Sequence, residues 1–140
     1  MVTGVDLAER MLDIARRQPE NKNVAFIQAN VLERLPFGDK CFDISIASYV
    51  AHGMQQSDRK RMYSEMSRVT RDKVIIYDYN QKRALMTSMI EWLERGDYFR
   101  FIKDAENEMR NCVSDMKGCF SEVKVVDGDT RASWYISTPV

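Results

Sequence analysis

The first residues alternate as a strand does. Val2-Thr3-Gly4-Val5 is a short β-type run that ends on Asp6. The spacing then changes. Leu7, Met11, Leu12 and Ala15 recur on one stripe, which predicts a helix over 8–17, with Pro19 ending it. Val24-Ala25-Phe26-Ile27 predicts a second strand. A loop carrying Pro36 and Gly38 follows, then the buried-type run Phe42-Asp43-Ile44-Ser45-Ile46-Ala47-Ser48. Ser57 is placed to cap a helix in which Met62, Met66 and Val69 share a face, and Val74-Ile75-Ile76-Tyr77 reads as a fourth strand.

Further on, Leu85, Met89 and Leu93 give a helix over 82–95, with Gly96 as its stop. A helix over 104–117 turns Ala105, Met109, Cys112, Val113 and Met116 inward and has Gly118 after it. Two strands over 122–126 and 132–137 close the pattern, with Asp127-Gly128 as hairpin turn chemistry. Strand and helix alternate, and a hairpin ends the chain. The expected fold is α/β in one domain over 1–140, mostly parallel with an antiparallel edge.

Composition narrows the function classes. Of 140 residues, 44% are apolar and 30% charged, a globular balance. Lys plus Arg and Asp plus Glu are 21 each, so no net field attracts nucleic acid or anionic lipid. No apolar run approaches the ~20 residues of a membrane span. Asp6, Glu9 and Arg10 break up the start, unlike a signal peptide. Cys41, Cys112 and Cys119 have no metal-type spacing and read as free thiols of a cytoplasmic protein. A single histidine, His52, argues against a metal site.

The segments VTGVDLAERML, VAFIQANVLERLPF, FDISIASYVAHGM, YSEMSRV and VIIYDYN stand in an order that resembles class I S-adenosylmethionine-dependent methyltransferases of the small-molecule type. The resemblance implies a Rossmann-like sheet, mostly parallel with a C-terminal antiparallel hairpin. It begins at the family's second strand. A glycine fingerprint lies roughly 20 residues before the ribose-binding acid, and counting back that far from Asp6 passes Met1. The expectation is therefore an N-terminally truncated domain lacking its first strand and glycine-rich loop. In the family that strand lies between those at Val2 and Phe42. Without it the two flanking edges pair directly or seek a partner, as a homodimer or through completion by a second chain.

Carried over by the resemblance, Asp6 accepts bonds from the ribose hydroxyls, with Leu7 beside it. The other reading is a helix cap with Glu9 as capping-box partner. Asn30 stands where the family has an adenine-binding aspartate and still offers a carbonyl oxygen. Val31 would present its amide to the adenine ring. Ala47 and Ser48 line the cofactor side of the methyl-transfer pocket, and Tyr49 its substrate side. This segment is not the Asn/Asp-Pro-Pro-aromatic motif of base methylation. His52 is a candidate general base, against a structural role at a helix start. Tyr79 and Asn80 are candidates for the substrate mouth, and Trp92, Tyr98, Phe99 and Phe101 fall where the family carries its lid. The run Asp58-Arg59-Lys60-Arg61 reads as a solvated face. The implied activity is methyl transfer from S-adenosylmethionine to a small molecule, with weak or absent cofactor binding in this chain. The alternative is a degenerate fold serving as a non-catalytic binding module.

Overall fold

The computed structural model describes residues 1–51, 54–79, 111–128 and 132–140. The expected helix over 82–95, His52, Asn80 and the aromatic residues from Trp92 to Phe101 lie outside them.

The opening strand, β1 (Val2–Asp6), pairs in parallel with β2 (Val24–Gln28), from Val2↔Val24 to Asp6↔Gln28. Gly4 is required by packing, because a Cβ there would stand 2.8 Å from the Phe26 ring. Helix α1 (Glu9–Arg16) joins the two strands and buries Leu12. It is shorter than the periodicity suggests, and Pro19 opens a 3-10 turn over Pro19–Asn21.

The second sheet has the order β3-β4-β6-β5. Strand β3 (Phe42–Ser48) runs parallel to β4 (Thr70–Tyr79), which pairs antiparallel with β6 (Ala132–Pro139), and β6 with β5 (Phe120–Asp127). The expected hairpin is present, longer at both strands than its turn chemistry indicates. Helix α2 (Gln56–Val69) connects β3 to β4. Its N-cap is Gln55, so Ser57 sits in the first turn and does not cap. A helical segment over 111–119, α3, continues past Gly118 and leads straight into β5. Gly118 is therefore not the stop that its position suggests.

One face of this sheet carries the core. Val74 and Ile76 of β4, Tyr135 of β6 and Phe120 of β5 pack with Met62, Tyr63 and Met66 of α2 and Cys112 and Met116 of α3. Each large apolar side chain so buried contributes about 1.5–3 kcal/mol. Arg59 belongs to this face of α2, one turn before Met62 and Tyr63. It is buried and pairs with buried Asp115 of α3 at 3.5 Å, while Gln56 Nε2 donates to Asp115 Oδ1 at 2.9 Å. The charged run is therefore not wholly a solvated face.

The other face is less covered among the described residues. Ile44 and Ile46 are 54% and 64% exposed and Trp134 39%, although parallel strands are ordinarily covered on both sides. Among the described residues β1 pairs only with β2, and β3 only with β4. The edges that flank the expected missing strand do not pair with each other, so the direct closure allowed by the sequence does not occur.

Candidate functional site

Ligands of open α/β sheets bind beyond the carboxyl ends of the strands. Here those ends form two groups. In the first, the Ala29 amide donates to the Asp6 carbonyl at 3.1 Å, which brings Asp6 beside Asn30. Asp6 is exposed, and its Oδ1 accepts from the Ala8 amide at 2.7 Å. That bond shapes the turn into α1, but the N-cap is Ala8 and no side chain caps the helix, so the capping alternative for Asp6 does not hold. Glu9 plays no part in it and pairs with Arg16 at 2.8 Å instead. Leu7 is 61% exposed, and its carbonyl accepts from Gln28 Nε2 at 3.0 Å.

Asn30 forms its own turn. Its Oδ1 accepts from the Leu32 amide at 3.0 Å and its Nδ2 donates to Glu33 at 3.3 Å. A carbonyl oxygen has two lone pairs, so one more donor can be accommodated. Val31 packs against the core and is half-buried. An exposed carboxylate and a carbonyl oxygen at adjacent strand ends fit the ribose and adenine of a nucleoside, because both groups accept and a nucleoside offers hydroxyl and amino donors.

The second group lies at the end of β3. Ala47 packs against the core and Ser48 is exposed opposite Tyr77. Tyr49 follows at φ 54°, the left-handed region that side chains with a Cβ rarely enter. Its amide donates to the Tyr77 carbonyl at 2.8 Å. Two residues on, the Ala51 amide donates to Oδ2 of Asp78 at 2.9 Å, and Asp78 has no exposed surface. Tyr79 closes β4 opposite Ala132.

Two further aromatic residues join Tyr49. The Tyr49 and Tyr77 ring centroids are 5.2 Å apart with planes at 79°, and Tyr77 and Trp134 are 4.4 Å apart at 36°. Tyr77 and Trp134 were not among the expected site residues. Their signal is alternation: Val74, Ile76 and Asp78 turn to the core, so Tyr77 turns to the other face. The same alternation identifies Asp78 as buried. Behind the site, burial pushes the Tyr135 hydroxyl up to about 12 and that of Tyr63 further still. Burial thus favours the protonated form of both. Among the described residues no cluster of His, Cys, Asp and Glu could hold a metal ion, and no helix is long and apolar enough to cross a membrane.

The chain is similar to known proteins. A family profile described as a methyltransferase domain matches residues 1–73. An uncharacterized methyltransferase of Bacillus subtilis (strain 168), YcgJ, is 25% identical over 123 residues, covering 84% of this chain and 46% of its own length. The chain thus spans about half of that curated relative. Among solved structures, the PH0226 protein of Pyrococcus horikoshii OT3 superposes with a TM-score of 0.75 at 21% identity, over 99% of this chain and 71% of that one. A SAM-dependent methyltransferase of Methanosarcina mazei gives 0.65 at 18%, over 99% and 82%. At these identities the structural likeness establishes the fold, a Rossmann-like α/β sheet.

Proposed function

The chain belongs to the methyltransferase-domain family, and on that premise we propose that it forms the nucleoside-holding and acceptor-side half of an S-adenosylmethionine-dependent methyltransferase acting on a small molecule. The observation that carries the reading is the pair of acceptors at adjacent strand ends, Asp6 and Asn30, joined by the Ala29–Asp6 backbone bond. Asp6 would take the ribose hydroxyls, with Leu7 beside it. Asn30 would take the adenine amino group and Val31 would offer its amide. Bound there, S-adenosylmethionine supplies an electrophilic methyl group. Ala47 and Ser48 would line the transfer pocket, and Tyr49, Tyr79 and Asn80 its acceptor side. His52 would accept the acceptor's proton, since an imidazole titrates near neutral pH.

A small acceptor is favoured by the formal net charge of zero and by FDISIASYV, which lacks the base-methylating motif. Nucleic acid and membrane partners have no basic stripe to attract them. The free cysteines suit a reducing cytoplasm. The open edges of β1 and β3 suit a truncated cradle, completed by a strand and glycine-rich loop from a longer frame or second chain, or else covered in a homodimer. Positioning dominates methyl transfer, and half a cradle positions poorly. The same open edges favour one second reading, a degenerate fold that binds a partner and transfers nothing.

Calorimetry with S-adenosylmethionine tests the proposal. The 140-residue chain is expected to bind weakly or not at all. The chain extended by a family-type strand and glycine-rich loop is expected to bind, and Asp6→Ala in that background to lose about 1–3 kcal/mol. An extended chain that binds no cofactor would favour the degenerate fold.

A further inference from the structure

Strand β5 stands at one end of the second sheet and β3 at the other. Among the described residues β5 pairs only with β6, and six of its eight residues are exposed. Its outer edge presents a ladder of backbone donors and acceptors, the template for pairing with another chain. Edge strands are ordinarily protected by charge, lysine above all. Strand β5 carries two charges in its middle, Glu122 and Lys124, on the same side of the strand and flanking Val123. Neither has an ion-pair partner among the described residues, and Glu122 Oε2 accepts from the Thr138 hydroxyl at 3.4 Å. We propose that β5 pairs antiparallel with β5 of a second copy of this chain, about a two-fold axis at Val123, so that the two sheets join into one.

The charges select this register. A two-fold axis at Val123 sets Glu122 of each copy directly opposite Lys124 of the other, and Ser121 opposite Val125. Side chains so placed have Cβ atoms about 4.5–5.5 Å apart, within reach of an ion pair. Shifting the axis by one residue sets Glu122 against Glu122 or Lys124 against Lys124, and like charges directly opposite are destabilising. Moving it to Val125 leaves Lys124 facing Val126. An axis perpendicular to the sheet also keeps the faces of the two copies in phase. Val123 and Val125 lie opposite buried Ser137 and Tyr135 of β6, which identifies the core side. There Val123, packed against the core, meets its own counterpart, and Val125, 49% exposed, gains neighbours. On the other side the Glu122–Lys124 pairs extend a polar row that already runs from Lys73 through Thr138 to Glu122, at 2.7 and 3.4 Å. The bulge between Phe120 and Glu122 confines the new ladder to residues 121–125. The contact is isologous, so it closes at two copies.

Sedimentation velocity tests this on the full chain and on charge variants. The parent is expected to reach a dimer. Glu122→Lys and Lys124→Glu each set two pairs of like charges opposite one another, and each should weaken the dimer about ten-fold. The double variant exchanges the two charges and should restore it. An equimolar mixture of the two single variants should also dimerise, because opposite charges then face each other at both positions. Both side chains are exposed, so every variant should melt with the parent. Association through β1 and β3 is indifferent to these substitutions, and the β5 dimer should persist when a family-type strand is added N-terminally. A monomeric parent, single variants that associate as the parent does, a double variant or mixture that stays monomeric, or an extended chain without the dimer would overturn the proposal.

Discussion

A carboxylate with no exposed surface, Asp78, holds the Ala51 amide at 2.9 Å and thereby closes the turn that carries Tyr49. Leaving a buried donor without its acceptor costs about 1–3 kcal/mol, and more where the acceptor is charged. Asp78→Ala is therefore expected to lower the unfolding free energy by about 2–4 kcal/mol in urea titrations. Asp78→Asn keeps an oxygen in place and should lose less than half as much. Equal losses would mean that the negative charge, and not this bond, is what the site requires. Tyr49→Gly makes the opposite use of the same turn. Its φ of 54° strains any residue with a Cβ, and relief of about 1 kcal/mol offsets the lost ring contact. The variant should melt within a few degrees of the parent.

Arg68 of α2 makes several of the bonds that fix the loop between β2 and β3, alongside Glu65 and Lys40. Arg68 donates to the carbonyls of Phe37 at 2.9 Å and Leu35 at 3.3 Å, and pairs with Asp39 at 2.6 Å and Glu65 at 2.5 Å. Glu65 in turn accepts from the Leu35 amide at 2.7 Å. This clasp tethers the chain that follows Asn30 to the second sheet. Arg68→Ala should cost about 2 kcal/mol, and Lys should not rescue it, lacking the fork that reaches several acceptors. The bond from Arg68 holds the Glu65 carboxyl below its ordinary 4.5, against the opposing effect of burial and with help from the Leu35 amide. A depressed folded value means that the stabilisation is complete above the unfolded value and is lost as pH falls through the folded one. Acid titration should then show a loss of stability below about pH 4.5 that is smaller in Glu65→Gln. None of this clasp was legible in the sequence, because Leu35, Asp39 and Arg68 are brought together by the fold and not by spacing. The elements were legible where one period dominates. Strand β3 is placed to the residue by its apolar alternation, and Met62, Met66 and Val69 are buried together as the helical spacing requires. Ends governed by local hydrogen bonding were not. Ser57 yields the cap position to Gln55, and Gly118 stays helical. Arg59 was misread because charge was given more weight than its place one turn from Met62. Asp6 and Asn30 were legible only as candidates, through the ordered motifs, whereas the place of Trp134 beside Tyr77 needed the pairing of β4 with β6.

At the scale of the whole molecule, the sheet is in two pieces, and its exposed residues mark where they part. Val2 and Val5 on β1 are 63% and 37% exposed, and Ile44 and Ile46 on β3 more than half exposed. Unpaired strand edges with apolar side chains template association with other chains. The 140-residue chain is therefore expected to self-associate with rising concentration in sedimentation velocity. Its slowly exchanging amides should be confined to β4, β6 and α2, with those of β1 exchanging fast. Adding a strand that pairs with both edges changes three observables through one cause. Burial of those side chains raises the melting temperature, by about 3–5 °C for each kcal/mol gained in a domain of this size. Amides of β1 and β3 become protected, because each gains a ladder. Self-association falls, because the edges are no longer open. These responses are coupled: protection of β1 and β3 without loss of self-association beyond a β5-paired dimer would place the association surface on the face around Ile46 and Trp134. Loss of self-association without protection would mean that the added segment covers the face and leaves the edges unpaired. Only the joint response supports a single mixed sheet, parallel from β2 to β4, in which Asp6 and Tyr49 face one ligand site from the ends of β1 and β3.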